Sequence, residues 1–210
     1  EHPPCPTEYP DQSPNLPITF FEPWFRPTKS TSDILDSCMN NISWRTPINN
    51  VGSQNPITGN AYGGFALGDL GYREYLETPL TSELKNGVFY CFVFHVSLAS
   101  NWPSQSQISG ANYIGGHFSQ DTLQKFLPNQ PYNDSLPAIP QVVDTVPPIT
   151  DTTNWTRICG SFEAQGGEKY LTIGNFTKEK TQWSNPNDTV GGYYYLDDVS
   201  LIPINQLPLH

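Results

Sequence analysis

From about residue 60 onward, apolar side chains recur at every second position rather than every third or fourth. Gly87–Ser97 (GVFYCFVFHVS) is the clearest strand. Phe92, Phe94, Val96 and Leu98 fall on one face, and Cys91, Val93, His95 and Ser97 on the other. Further strands are predicted over Asn60–Leu67 (NAYGGFAL), Arg73–Thr78 (REYLET), Asn112–Ser119 (NYIGGHFS), Trp155–Ala164 (WTRICGSFEA), Lys169–Asn175 (KYLTIGN) and Tyr193–Ile202 (YYYLDDVSLI). In Trp155–Ala164 the inward positions are Ile158, Phe162 and Ala164; in Tyr193–Tyr195 at least one ring must face outward. Many short strands with almost no helical period predict an all-β protein.

Residues 1–58 read as an irregular wrap packed on those strands. Glu1–Pro17 alone carries six prolines, which excludes helix. Apolar residues stay dense there: Phe20, Phe21, Trp24, Phe25 and Trp44. Only Ser32–Cys38 (SDILDSC) has the pattern of a helical turn, with Ser32 as its cap. A Pro-rich excursion through the 130s and 140s separates two strands, and no internal repeat is visible. The reading is one domain over residues 1–202, with residues 203–210 as a tail or linker.

Composition narrows the class. A chain of 210 residues with 36% hydrophobic and 13% aromatic residues can fill one large sandwich core. Charged residues are only 14% and prolines number 21, so Asn, Gln, Ser, Thr and Pro must cover the surface, as in secreted β proteins. The net charge of −10 repels nucleic acid, and no Lys/Arg cluster offsets it. No run approaches the ~20 apolar residues of a membrane span.

The four cysteines are compatible with two disulfides, free buried thiols being the alternative. Cys5–Cys38 would staple the wrap. Cys91 and Cys159 occupy the same relative face of their strands, so a cross-strand bridge is geometrically possible if those strands are neighbours. No spacing is CxxC, and His2, His95, His117 and His210 are scattered, which argues against zinc.

The run PWFRPTKSTSDILDSC, followed by ITGNAYGG, YREYLETPLTSEL, YCFVFHVSLAS, IGGHFS, NWTRICGSFEAQGGEKYLTIGNF and YYYLDDVSLI, resembles a jelly-roll domain common in Bacteroidetes surface proteins. The order matches over nearly the whole chain. The resemblance implies a carbohydrate-binding-module-like jelly-roll β-sandwich. It also implies an extracellular or outer-membrane-surface location, in chains that carry gliding-motility, type IX sorting or OmpA-like regions. Members of that family open with a strand of the form N-L-V-x-N-x-S-F-E-E before the first cysteine, whereas this sequence starts Glu1-His2-Pro3-Pro4-Cys5. A missing strand would leave an open sheet edge for pairing with another chain.

Several residues then become candidates. In similar jelly rolls an acidic residue of the last strand and an N-terminal glutamate hold one structural calcium. The resemblance assigns Glu1, Asp197 and Asp198 to that role, although one aspartate capping loop amides beside a solvated one is the alternative. Sugar binding needs aromatic faces beside polar groups. Trp24, Tyr72, Tyr75, Trp102 and Trp183 supply the aromatic faces. Arg73, Glu74, Asn101, Asn112 and Gln182 lie nearby. Asp-Ser/Thr pairs resembling the Bacteroidetes O-glycosylation pattern place candidate glycans on Thr122, Ser135, Thr145, Thr152 and Thr189.

Catalysis has weaker support. There is no GxSxG, and a His95–His117–Tyr113 constellation requires their strands to be neighbours. The leading expectation is therefore a non-catalytic extracellular binding module for glycan or protein. The alternatives are a structural subunit of a surface assembly with no soluble ligand, and a jelly-roll polysaccharide-active enzyme.

Overall fold

A strand with one apolar face needs a second layer to bury it. The computed structural model describes residues 19–21, 23–68, 71–102, 108–123, 135–145, 147–177, 180–185 and 191–204, and it supplies that layer as a second sheet. In chain order the strands are β1 (Thr19–Phe21), β2 (Trp24–Phe25), β3 (Asp33–Asp36), β4 (Ile48–Asn49), β5 (Gly52–Ser53), β6 (Ala61–Gly68) and β7 (Tyr75–Pro79). They continue with β8 (Phe89–Leu98), β9 (Ile114–Ser119), β10 (Val142–Val143), β11 (Thr156–Glu163), β12 (Tyr170–Asn175) and β13 (Gly191–Pro203). A six-stranded sheet runs β1-β2-β7-β12-β9-β10, and a five-stranded sheet runs β11-β8-β13-β6-β3. From β6 to β9, and again from β10 to β13, successive strands cross between the sheets, and neighbours within each sheet pair antiparallel: the all-β class that the alternation predicts, in the jelly-roll β-sandwich form that the resemblance implies.

The core lies between the sheets. Phe92, Phe94 and Val96 of β8 are fully buried against Ile114, Phe118, Leu171 and Ile173 of the facing sheet. Burying each such side chain stabilises the fold by about 1.5–3 kcal/mol. The Phe92 and Phe118 rings meet edge to face at 5.0 Å, and Phe118 stacks on Phe162 at 4.6 Å.

Each sheet is also covered over part of its outer face. The wrap lays Leu35 and Val51 on Tyr62, Tyr193 and Tyr195 of the five-stranded sheet, with Trp44, Tyr72, Trp102 and Trp155 around them. The three tyrosines of β13 alternate as predicted. Tyr194 points into the core and donates to the Ile149 carbonyl at 3.0 Å, while Tyr193 donates to Asp33 at 2.8 Å and Tyr195 to Asn49 at 2.9 Å under the wrap. On the other sheet, Leu123 and Leu136 cover Tyr75 and Phe176.

Three expectations need correction. Ser32–Cys38 is not a helical turn: Asp33–Asp36 is β3, paired with β6 from Asp33↔Gly64 to Asp36↔Ala61. Leu35 is buried in the outer tyrosine cluster, while the half-buried Ile34 and the buried Asp36 lie on the opposite side, so contacts on both faces select the strand. Cys91 and Cys159 are both free. Their strands are neighbours and the two thiols share a face, but Cys159 pairs with Val93 and Cys91 with Ser161. The resulting diagonal relation spans about 7–8 Å, too long for a disulfide. His95 and His117 lie in different sheets, since β8 and β9 do not pair. Cys38 is disulfide-bonded; Cys5, its expected partner, lies outside the described residues.

Candidate functional site

The sandwich is open along one side. β2 is two residues long and meets β7 through the single pair Phe25↔Glu77, so that flank of the six-stranded sheet is short. Opposite it, β13 carries a register shift between Asp197 and Ser200, with Asp198 at φ 51°. Before the bulge Tyr194 and Leu196 face the core; after it Val199 and Leu201 do. The bulge thus keeps an apolar face turned toward β2.

Between β2 and β13 lies a trough made of two adjoining cavities. One, of about 400 Å³, is walled by Trp24, Ile34, Leu76 and Leu196, with the exposed Thr58 and Asp198 and the buried Asp36 and Asp197 also in its lining. The other, of about 680 Å³, is walled by Leu80, Leu84, Val88, Tyr90 and Leu201, with Thr81, Ser82, Glu83 and Lys85 at its rim. Trp24 and Val199 belong to both, so the half-buried indole sits midway along a continuous surface.

The carboxylates lining the first cavity differ in their engagements. Asp36 accepts the Cys38 N–H at 3.0 Å and the Ser37 hydroxyl at 3.4 Å. Asp197 accepts the N–H of Ile57 and of Asp198, each at 2.7 Å, and a backbone N–H of Thr58. Burial pushes the Asp197 carboxyl up, and those amides oppose the shift. Asp198 is exposed, with its carboxylate 3.9 Å from His95 Nδ1 on the outer face. One aspartate therefore caps loop amides and its neighbour is open to solvent. Among the described residues, no three His, Cys, Asp or Glu side chains converge as a metal site. Glu1, the third calcium candidate, lies outside the described residues. Asp197 already serves backbone donors, which leaves Asp198 as the calcium candidate open to solvent among the described residues.

The other sequence candidates are dispersed. Only Trp24 lines the trough. Tyr72 donates to Glu74 at 2.6 Å, and Glu74 also accepts the Thr31 and Ala66 N–H groups. Arg73 is buried and donates to Asn175 at 3.2 Å and to the Gly68 and Tyr72 carbonyls. Tyr75 is buried and donates to the Asn175 carbonyl at 2.7 Å. These residues hold elements together rather than present a face. Trp102 packs on the outer tyrosine cluster and Trp183 on the core, so neither belongs to the trough.

Of the glycosylation candidates, Thr145 is exposed, and Ser135 and Thr152 are half-buried. The Thr122 side chain is engaged by Glu77. Thr189 lies outside the described residues.

A polar row was missed from sequence. Glu77, Thr172 and His117 lie side by side across β7, β12 and β9 on the outer face of the six-stranded sheet. Glu77 is 0% exposed, and one of its oxygens accepts Thr172 Oγ1 at 2.9 Å and Leu123 N–H at 3.3 Å. His117 Nδ1 lies 2.8 Å from the Ile139 carbonyl. Polar residues at alternate positions of a strand read as solvated, and only the overlying Thr122–Leu123 and Leu136–Ile139 segments bury them. His117 thus belongs to one outer face of the sandwich and His95 to the other, which removes the His–His–Tyr constellation.

No protein-family model matches the sequence, and no curated protein matches it. Among solved structures, the chain is similar to a CBM22-1 xylan-binding domain from Paenibacillus barcinonensis, at 11% identity and TM-score 0.44, over 87% of this chain and 86% of that one. It is also similar to a CBM4 structure, at 12% identity and TM-score 0.41, over 92% and 97% of the two chains. The K1 cleaved adhesin domain of Lys-gingipain from Porphyromonas gingivalis is 14% identical at TM-score 0.38, over 82% and 90%. Likenesses at this level assign no ligand to this chain.

Proposed function

We propose that this chain is a non-catalytic binding module and that its ligand, a glycan chain, lies in the trough beside Trp24. The observation that carries the reading is the position of Trp24, half-buried and shared by both cavities, with polar side chains at both ends of the trough. An indole face holds the C–H surface of a sugar ring, and the flanking hydroxyls and carboxylates meet its hydroxyls. The open length of the trough suits an extended oligosaccharide rather than a compact metabolite.

The carboxylates at the trough support a non-catalytic role. Hydrolysis of a glycosidic bond requires two carboxyl groups facing the bond. Here Asp36 and Asp197 are bound by backbone amides, Asp198 faces His95, and Glu83 lies 3.7 Å from Lys169. An oxidising, extracellular setting is supported by the disulfide at Cys38.

The test is a glycan array followed by calorimetry on the hit, with wild type, Trp24→Ala and Asp198→Asn. Asparagine tolerates the left-handed backbone at 198, and the site is exposed, so that variant folds. The reading expects about tenfold weaker binding in Trp24→Ala and a smaller loss in Asp198→Asn, with unchanged circular dichroism. A folded protein that binds no glycan, or binds one unaffected by both changes, overturns it and favours a protein ligand.

A further inference from the structure

The five-stranded sheet ends on β11, and among the described residues nothing pairs with its outer side. All eight residues of β11 pair with β8 without a bulge, from Thr156↔Val96 to Glu163↔Phe89. The phase of the ladder follows from Ala164, whose N–H donates to the Val88 carbonyl at 3.0 Å. Even-numbered residues therefore bond to β8. The N–H and C=O groups of Arg157, Cys159, Ser161 and Glu163 point out at the free edge. Their side chains are also exposed, and the strand contains no proline or lysine to block pairing.

That edge is self-complementary. Its four outward residues are symmetric in character about Gly160: Arg157 and Glu163 lie three positions away on either side, Cys159 and Ser161 one. Two antiparallel copies with Gly160 on the two-fold axis bring each Arg157 opposite the Glu163 of the other copy. Each Cys159 then meets a Ser161, and Ile158 meets Phe162 on the inner side. All four outward pairs fall on positions whose backbone groups face the partner, giving about eight inter-strand hydrogen bonds. A slip of two residues sets Arg157 opposite Ser161 or Gln165 and leaves the charges unmatched. A slip of one misaligns every donor.

We infer that β11 is a self-association edge: two copies of this chain pair β11 to β11, antiparallel about Gly160, into one continuous ten-stranded sheet. The interface is isologous, as a closed two-fold dimer requires. It is independent of the trough, which lies between β2 and β13.

Sedimentation analysis over a wide concentration range tests this on the wild-type chain. A reversible dimer is expected. Arg157→Glu and Glu163→Arg each place like charges opposite one another at both ends of the pairing, and each should weaken the dimer about tenfold. The double variant, with the charges exchanged, should restore it. Both side chains are exposed, so the folded monomer is retained. In a Cys91→Ser background, Ser161→Cys sets the introduced thiol opposite Cys159 of the other copy, and a disulfide-linked dimer should form in air. A wild type that stays monomeric at millimolar concentration, or a dimer indifferent to the single charge reversals, overturns the inference.

Discussion

Asp197 accepts the backbone N–H of Ile57 at 2.7 Å, and so ties the bulge of β13 to a loop 140 residues earlier in the chain. The same carboxylate takes the N–H of Asp198, so it holds both the loop and the bulge that shapes the trough. Replacing Asp197 by alanine strands those donors and should cost about 1–3 kcal/mol. Asp198→Asn, at the exposed neighbour, should change stability by less than about 0.5 kcal/mol. Urea denaturation of the two variants checks the contrast. Equal effects would mean that the cap does not hold the loop.

Glu77 makes stability depend on pH in an unusual sense. Burial raises its carboxyl above the ordinary 4.5, while hydrogen bonds from Thr122, Thr172 and Leu123 pull the other way. The folded chain therefore keeps a proton that the unfolded chain has lost. Its contribution is fully present below pH 4.5 and is lost as pH rises through the folded-state value. Asp151 works in the opposite sense. Hydrogen bonds from Asn154 and Thr153 hold it well below the usual carboxylate range, so what it contributes is lost on acidification. Glu77→Gln isolates the first effect. Relative to that variant, the wild type should lose unfolding free energy as pH rises above about 4.5, until the folded-state carboxyl has ionised. Denaturant titrations at several pH values measure the difference, and parallel curves would exclude Glu77 as its source.

How much was legible in the sequence depended on which partner a residue meets. β8 and β11 were readable because each buries one face, so their apolar positions alternate, and β13 because its run of tyrosines and aliphatic residues is too apolar for a loop. β3 was not, because Leu35 is buried on one side and the half-buried Ile34 lies on the other, and four residues carry no period. The shared face of Cys91 and Cys159 followed from parity, but their two-residue offset is a property of pairing that neither strand encodes alone. Glu77 and Thr172 read as solvated because the segment that covers them comes from elsewhere in the chain. Trp24 was recognised as a candidate, but the trough around it arises from a gap between β2 and β13. No local pattern announces such a gap. Tyr72, Arg73 and Tyr75 have the right chemistry for a ligand, yet their polar atoms are engaged within the fold.

Packing between the sheets gives the most local prediction. Gly116 on β9 faces Phe92, and a β-carbon there would lie 2.3 Å from the ring. The ring has little room to retreat, since Phe94 stands 5.2 Å away and Phe118 meets it edge-on at 5.0 Å. Gly116→Ala should therefore destabilise the fold by about 1–3 kcal/mol through overpacking. Phe92→Leu removes the obstructing ring atoms at the expense of a cavity in the wild-type background. Combined with Gly116→Ala, it should cost less than the sum of the two single changes, because the new methyl group fills part of that cavity. A double-mutant cycle by thermal or urea denaturation reads the coupling directly. Strict additivity would show that Gly116 is required for some reason other than the approach of Phe92.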